Sequence, residues 1–242
     1  MELLDAQEAF YYARDVVKGR WSAGESIIAK DAKWACHYAI EVIKGRWPKV
    51  EATIGKDAEY AYLYARNVIK DRWLKVEKTI SKDAGCAYLY ALHVIQGRWS
   101  EAEDTIAKDA EWSYWYAKEV VKGRWSEAEE TLGKDAEWAY RYARSVIHAG
   151  FPHGEYAISK DAKFACAYAL NFLLSRWDEA EEIIARSAFC KEYTAKYFPN
   201  QEVITKDEVG EFLWMRAEAR GYFAPKEMFK ETVSVLDIGV MM

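Results

Sequence analysis

The stretch that decides the fold is GKDAEYAYLYARNVIKDRWLKVEKTI, residues 55–80. Ala58, Ala61, Tyr62, Ala65, Val68 and Ile69 recur at i, i+3, i+4 and i+7 spacing, the mark of one buried helical face running from Asp57 to Lys70. At about 100° per residue, Glu59, Leu63, Arg66, Asn67 and Lys70 collect on the opposite arc. Asp57 stands where an N-cap or first-turn acid belongs, and Lys70 where a last-turn cation complements the helix dipole. A second, shorter helix follows Arg72-Trp73.

The same unit recurs at a fixed offset of 26 residues. Asp5, Asp31, Asp57, Asp83, Asp109, Asp135 and Asp161 fall on it. So do Trp21, Trp47, Trp73, Trp99 and Trp125, then Phe151 and Trp177. Ala13, Ala39, Ala65, Ala91, Ala117, Ala143 and Ala169 also follow it, each preceded by a tyrosine. Seven copies cover residues 3–184. After the long helix most copies carry glycine (Gly19, Gly45, Gly97, Gly123), the expected left-handed stop, whereas Asp71, Ala149 and Ser175 stand there in the others.

In the shorter helix, Ser100…Glu103 and Ser126…Glu129 read as capping boxes, with Ser22…Glu25 and Asp178…Glu181 repeating the pattern. Pro48 suits a first helical position. Trp99, Ala102 and Ile106 form the apolar side. A helix this short does not persist alone in water, so it depends on its neighbours. Neither helix buries its apolar face within one copy. Successive copies must therefore stack, which predicts an all-α fold, an α-solenoid of tandem helical hairpins.

Copy six departs from the others. It reads Ala149-Gly150-Phe151-Pro152-His153-Gly154 where they carry Gly-Arg-Trp, which predicts an altered turn and a local bend there. Beyond Ile184 the period fades. Ala185–Phe198 reads as a degenerate eighth long helix, Thr205–Glu208 as a capping box opening a helix to Arg220, and Pro225 as the start of a last helix to Asp237. Residues 185–242 are expected to form a non-repeating helical cap packed on the last copy.

Composition bounds the function classes. Hydrophobic residues make up 51% and charged residues 30%, enough of each for a packed globular chain. A net charge of −5 argues against generic nucleic-acid binding. Glu2, Asp5 and Glu8 interrupt any signal-peptide reading, and no run approaches the roughly 20 apolar residues needed to span a bilayer. No membrane partner is expected. Cys36, Cys86, Cys166 and Cys190 are far apart and form no CxxC pair, so buried free thiols in a reducing cytoplasm are expected.

The recurrent Asp, Arg and Glu could be mistaken for a catalytic set, but a reaction needs such a group once, not in every copy. Structural roles are expected for all three columns. No phosphate loop, GxSxG or HExxH occurs. His148 and His153 have no Cys, Asp or Glu at a supporting spacing for a metal site. No catalytic residue, cofactor or metal is therefore expected, and the chain reads as a non-enzyme. The Trp and Tyr columns could stack bases, but their positions on or beside the buried face read as core.

Two features carry functional information. Lys30, Lys56, Lys82, Lys108, Lys134 and Lys160 form one lysine column, and Lys18, Lys44, Lys70 and Lys122 another. Both lie near helix C-termini, where cations complement the dipole, and together they could also hold a nucleotide or single-stranded nucleic acid. The outward row of the long helix varies instead. It reads Tyr11, His37, Leu63, Leu89, Trp115, Arg141, Ala167, and three residues on Arg14, Ile40, Arg66, Leu92, Lys118, Arg144, Leu170. Apolar groups beside cations suit protein recognition. Leu63, Arg66, Leu89, Leu92, Trp115, Lys118, Arg141 and Arg144 are the expected partner-binding residues.

The phrase Lys-Asp-Ala-Glu-(Trp/Tyr)-Ala-Tyr-x-Tyr-Ala-Arg-x-Val-Ile-Lys-Gly-Arg-Trp-x-Glu-Ala-Glu stands, with substitutions, at Lys56–Glu77, Lys108–Glu129 and Lys134–Tyr156. It resembles a tandem repeat in predicted proteins of large tailed bacteriophages and other large viruses. The likeness covers about three quarters of the chain. That family has no established activity or catalytic residues. The resemblance implies a viral origin, a place in the host cytoplasm, and host-directed binding, including interference with host defence.

Overall fold

The computed structural model describes residues 5–185 and 190–197. Among them no strand occurs, and helical hairpins follow one another at the expected period. The chain is an all-α repeat. It divides into two compact units, residues 1–128 and 129–242. The expected capping box at Thr205 and the helices ending near Arg220 and Asp237 lie outside the described residues.

In residues 1–128, each long helix opens on its aspartate. The Asp57 side chain accepts from the N–H groups of Glu59 and Tyr60, and its extended backbone (φ −112°) is that of an N-cap. Asp31, Asp83 and Asp109 cap in the same way. Asp5 and Glu8 complete a reciprocal capping box. The first half of each long helix is α-helical, as in Ala58–Tyr64, and the second half is a π-helix, as in Ala65–Ile69. The same switch occurs at Tyr12–Val17, Tyr38–Ile43, Ala91–Ile95 and Ala117–Val121.

A π segment in every copy was not legible in the periodicity. Its i→i+5 bonds widen the turn, so each residue advances by less than in an α-helix. The 100° wheel therefore misplaces the second half. Val68 and Ile69 belong to the buried face on that wheel, yet both are only half-buried.

The stop also differs from expectation. The left-handed residue is the one before the glycine: Lys18, Lys44, Lys70, Gln96 and Lys122 have φ between 53° and 60°. The Lys70 N–H donates to the Ala65 carbonyl at 2.7 Å, and the Gly19, Gly45, Gly97 and Gly123 N–H groups reach the equivalent alanine carbonyls at 3.2 Å. No glycine of this column needs positive φ, and a Cβ at Gly19, Gly45, Gly97 or Gly123 meets nothing within 4 Å. This is why Asp71 is accommodated there.

The short helices show a second correction. Ser100 is the first helical residue rather than the cap, and Trp99 in the cap position makes no side-chain cap bond. The glutamates are engaged elsewhere. Glu103 receives a two-point guanidinium contact from Arg98, 2.7 Å on each oxygen, and accepts the Tyr116 hydroxyl at 2.9 Å. That hydroxyl in turn accepts the Trp99 backbone N–H at 2.7 Å. The two-point fork sets opposite charges in direct contact, which a single bond from the carboxylate to a backbone N–H does not, so the tertiary partner wins. Arg72, Glu77, Tyr90 and Trp73 repeat the arrangement, as do Arg46, Glu51, Tyr64 and Trp47, and Arg20, Glu25, Tyr38 and Trp21. Each clamp ties the short helix of one copy to the long helix of the next. Pro48 does occupy a first-turn position.

Long helices pack on the long helices of adjacent copies, and short helices on long ones. The core holds the tyrosine and alanine columns: Tyr38, Tyr64, Tyr90, Tyr116, Ala39, Ala65, Ala91 and Ala117 are fully buried. Alanine lets backbones approach while the tyrosine rings fill the space between layers.

Residues 129–185 repeat this plan. Asp135 and Asp161 cap Ala136–Tyr142 and Ala162–Tyr168, which continue as π segments Ala143–Ile147 and Ala169–Leu173. The turn of copy six is not altered. His148 is left-handed like its counterparts, and the Ala149 N–H reaches the Ala143 carbonyl at 3.3 Å. The turn is built from backbone bonds, so losing the Gly-Arg-Trp side chains leaves it in place. The degenerate eighth helix exists as Cys190–Tyr197, and its Tyr193 hydroxyl accepts the Trp177 N–H as the repeat tyrosines do.

Candidate partner-binding surface

The long helices place the variable row six and nine residues after each capping aspartate. Within residues 1–128 this brings Leu63, Arg66, Leu89, Leu92, Trp115 and Lys118 onto three successive, mutually packed helices. Arg66 is exposed and the other five are half-buried. Beneath them lie Tyr62, Tyr88 and Tyr114, all buried.

Arg66 donates to the Tyr62 hydroxyl at 2.9 Å, and among the described residues it forms no ion pair. The Tyr62 ring stacks on His93, with centroids 6.4 Å apart. Desolvation first, and the Arg66 charge second, hold His93 below its ordinary pKa. Burial pushes the Tyr62 phenol upward. Arg66 and His93 thus make a local cationic and polarisable spot between Leu63 and Leu92. At the next copies, Trp115 meets Tyr114 edge-on at 5.0 Å, and the Lys118 ammonium lies 5.0 Å from the Trp115 ring centroid. Lys118 also faces Glu119 at 3.6 Å.

The first two copies are different. Arg14 is spanned by Asp15 at 2.7 Å and Glu41 at 3.5 Å, and His37 faces Glu41 at 3.2 Å. The Arg14 charge is neutralised there. Within residues 1–128, Arg66 is the cation of this row that pairs with no described carboxylate, since Lys118 also has Glu119 beside it.

Arg141 and Arg144 stand in the other unit, so the row is described there by itself. Arg141 pairs with Glu137 at 2.6 Å and lies over the Trp138 ring. Arg144 is exposed and forms no hydrogen bond or ion pair among the described residues. Phe164 lies tilted against Tyr140, with ring centroids 5.7 Å apart.

The aromatic column three residues after each aspartate was missed as part of this surface. Trp34, Tyr60 and Trp112 are half-buried, and Trp112 lies 5.8 Å from Tyr88 in the preceding copy. Its signal is aromatic recurrence at the 26-residue period, in a column that the helical wheel above assigns to neither the buried face nor the opposite arc. The lysine columns are exposed. Among Lys30, Lys56, Lys82 and Lys108 no ion pair forms with described residues, whereas Lys134 pairs with Glu130 at 2.8 Å. A short-helix carboxylate thus pairs with Lys134 and with none of those four. Cys36 and Cys166 are buried free thiols and Cys86 is a half-buried one. Among the described residues no helix is long and apolar enough to cross a membrane. The chain matches no family model, no curated protein and no solved structure.

Proposed function

We propose that the chain is a non-enzymatic scaffold that binds a protein partner through the variable row of its long helices. The observation behind this reading is the run Leu63, Arg66, Leu89, Leu92, Trp115 and Lys118. Here half-exposed apolar side chains stand beside cations on mutually packed helices. Trp and Arg anchors set in an apolar surround dominate protein interfaces. The resemblance to viral repeats points to a host factor as partner, with interference in host defence as the outcome.

The test substitutes Leu89→Asp, Trp115→Ala, Arg141→Ala and Arg144→Ala together. Co-purification of a host partner disappears while helicity by circular dichroism stays unchanged. Single truncation of Trp115 weakens binding by about 30-fold, the scale of an anchor residue. Retained binding by the quadruple variant refutes the reading.

A second reading is favoured by the four lysines that pair with no described carboxylate. They would hold an anionic ligand such as a nucleotide or single-stranded nucleic acid. Its affinity falls steeply with salt. Salt-insensitive binding, or none across nucleotides and oligonucleotides, removes it.

A further inference from the structure

Copy six lacks one part of the clamp that five other copies share. In five copies an arginine directly before the aromatic forks onto the glutamate five residues on: Arg20, Arg46, Arg72, Arg98 and Arg176. In copy six that position is Gly150. The rest of the clamp remains. The Phe151 N–H donates to the Tyr168 hydroxyl, and that hydroxyl donates to Glu155 at 2.9 Å. Glu155 forms no ion pair among the described residues.

The space for the absent group is open. A cleft of about 620 Å³ is lined by Glu155, Glu179, Trp177, Tyr156, Lys160 and Arg176, among others. The intact clamps show why both glutamates face it. The Arg72 guanidinium feels Glu77 and Tyr90 of its clamp and Glu101 of the next copy, and Arg98 feels Glu103, Tyr116 and Glu127. Shifted to copy six, those partners are Glu155, Tyr168 and Glu179. The two cations at the rim are engaged: Arg176 with Glu181 and Asp178, and Lys160 over the Tyr156 ring at 5.1 Å. A Cβ at Gly150 would meet only the Tyr168 hydroxyl, at 3.3 Å, so no side chain of copy six fills the place.

We infer that the Glu155–Glu179 cleft is a guanidinium-binding site that receives an arginine side chain from outside the repeat. Glu155 accepts the Tyr168 hydroxyl through Oε1 as Glu103 accepts Tyr116 beside its fork, and Trp177 and Tyr156 offer aromatic lining beside it. A guanidinium fits this arrangement better than an ammonium, because its planar fork meets both oxygens at once. The site is independent of the variable row on residues 1–128, and its test does not involve that row.

The experiment titrates N-acetyl-arginine amide into the full chain and follows the backbone amides of residues 151–181 by NMR. The same titration is run on Gly150→Arg, Glu155→Gln and an Arg186→Gln/Arg216→Gln/Arg220→Gln chain, and with N-acetyl-lysine amide. Saturable shifts occur in the unsubstituted chain, weaken by about 10- to 100-fold in E155Q, and vanish in G150R, whose own arginine fills the place. The lysine compound binds more weakly. If only the triple variant responds, the arginine comes from the chain's own residues beyond the described part; if the unsubstituted chain responds equally, it comes from a second polypeptide. Equal saturable responses in the unsubstituted chain, G150R and E155Q, or no response in any of the chains including the triple variant, overturn the assignment. G150R is expected to keep its fold, checked by circular dichroism, and E155Q supplies an independent loss if it does not.

Discussion

Replacing Tyr90 by phenylalanine isolates the clamp with the smallest change in shape. The ring stays packed, 5.1 Å from Trp99, and only the hydroxyl goes. Two bonds are lost: acceptance of the Trp73 N–H at 2.7 Å and donation to Glu77 at 3.0 Å. The first leaves a buried backbone donor unsatisfied, which costs about 1–3 kcal/mol. The second is charge-assisted, but Glu77 keeps the Arg72 fork, so its loss adds about 1 kcal/mol. The sum is about 2–4 kcal/mol. Urea unfolding followed by tryptophan fluorescence reads it as a fall in midpoint, and hydrogen exchange at the Trp73 amide reads it locally. Tyr12→Phe is the internal control. Tyr12 occupies the same column but is 42% exposed and forms no hydrogen bond with a described residue, so its loss costs under about 0.5 kcal/mol. If Y90F and Y12F have equal effects, or if Trp73 exchange is unchanged in Y90F, the clamp does not hold the copies together.

Acid should weaken the same clamps. The Arg72 and Arg98 guanidinium groups hold Glu77 and Glu103 below the ordinary glutamate range. A depressed folded pKa gives stability that is present above the unfolded value, about 4.3, and is lost as pH falls through the folded one. Glu77→Gln/Glu103→Gln should flatten the acid limb of a pH–stability curve, and an unchanged limb counts against the pairing. At the helix stop, Gln96→Gly should raise stability by about 1 kcal/mol by relieving a left-handed non-glycine residue, while Gly97→Ala should be neutral or stabilising. Thermal midpoints in which Gly97→Ala costs more than about 1 kcal/mol would place the left-handed residue one position later. Burial pushes the Cys36 thiol up to about 12, so iodoacetamide should leave it intact in the native chain and modify it in urea. Rapid native alkylation would contradict its fully buried position.

The 26-residue period made the stacking, the capping aspartates and the buried tyrosine and alanine columns readable, because each of those follows from a local rule applied in every copy. The glutamates were misread because Ser100…Glu103 satisfies the capping-box pattern, while their actual partners are Arg98 on one side and Tyr116 on the other. Tyr116 lies 13 residues on and in the next copy, a relation no local rule contains. The stop was misplaced by one residue because glycine is the usual left-handed choice, and Lys70 tolerates that conformation at a cost the packing covers. For the surface, Leu63, Leu89 and Trp115 were found through their variability. The π segments that carry Arg66, Leu92 and Lys118 leave no trace in hydrophobic spacing.

The clamp runs one way along the polypeptide. The Trp21 amide waits for Tyr38, Trp47 for Tyr64, and Trp73 for Tyr90, each 17 residues toward the C-terminus. On a ribosome, where the N-terminal end emerges first, every hairpin therefore matures only after its successor has left the exit tunnel. Growth by gene duplication faces no such obstacle, since an inserted module carries both the donor its follower satisfies and the hydroxyl its predecessor lacks.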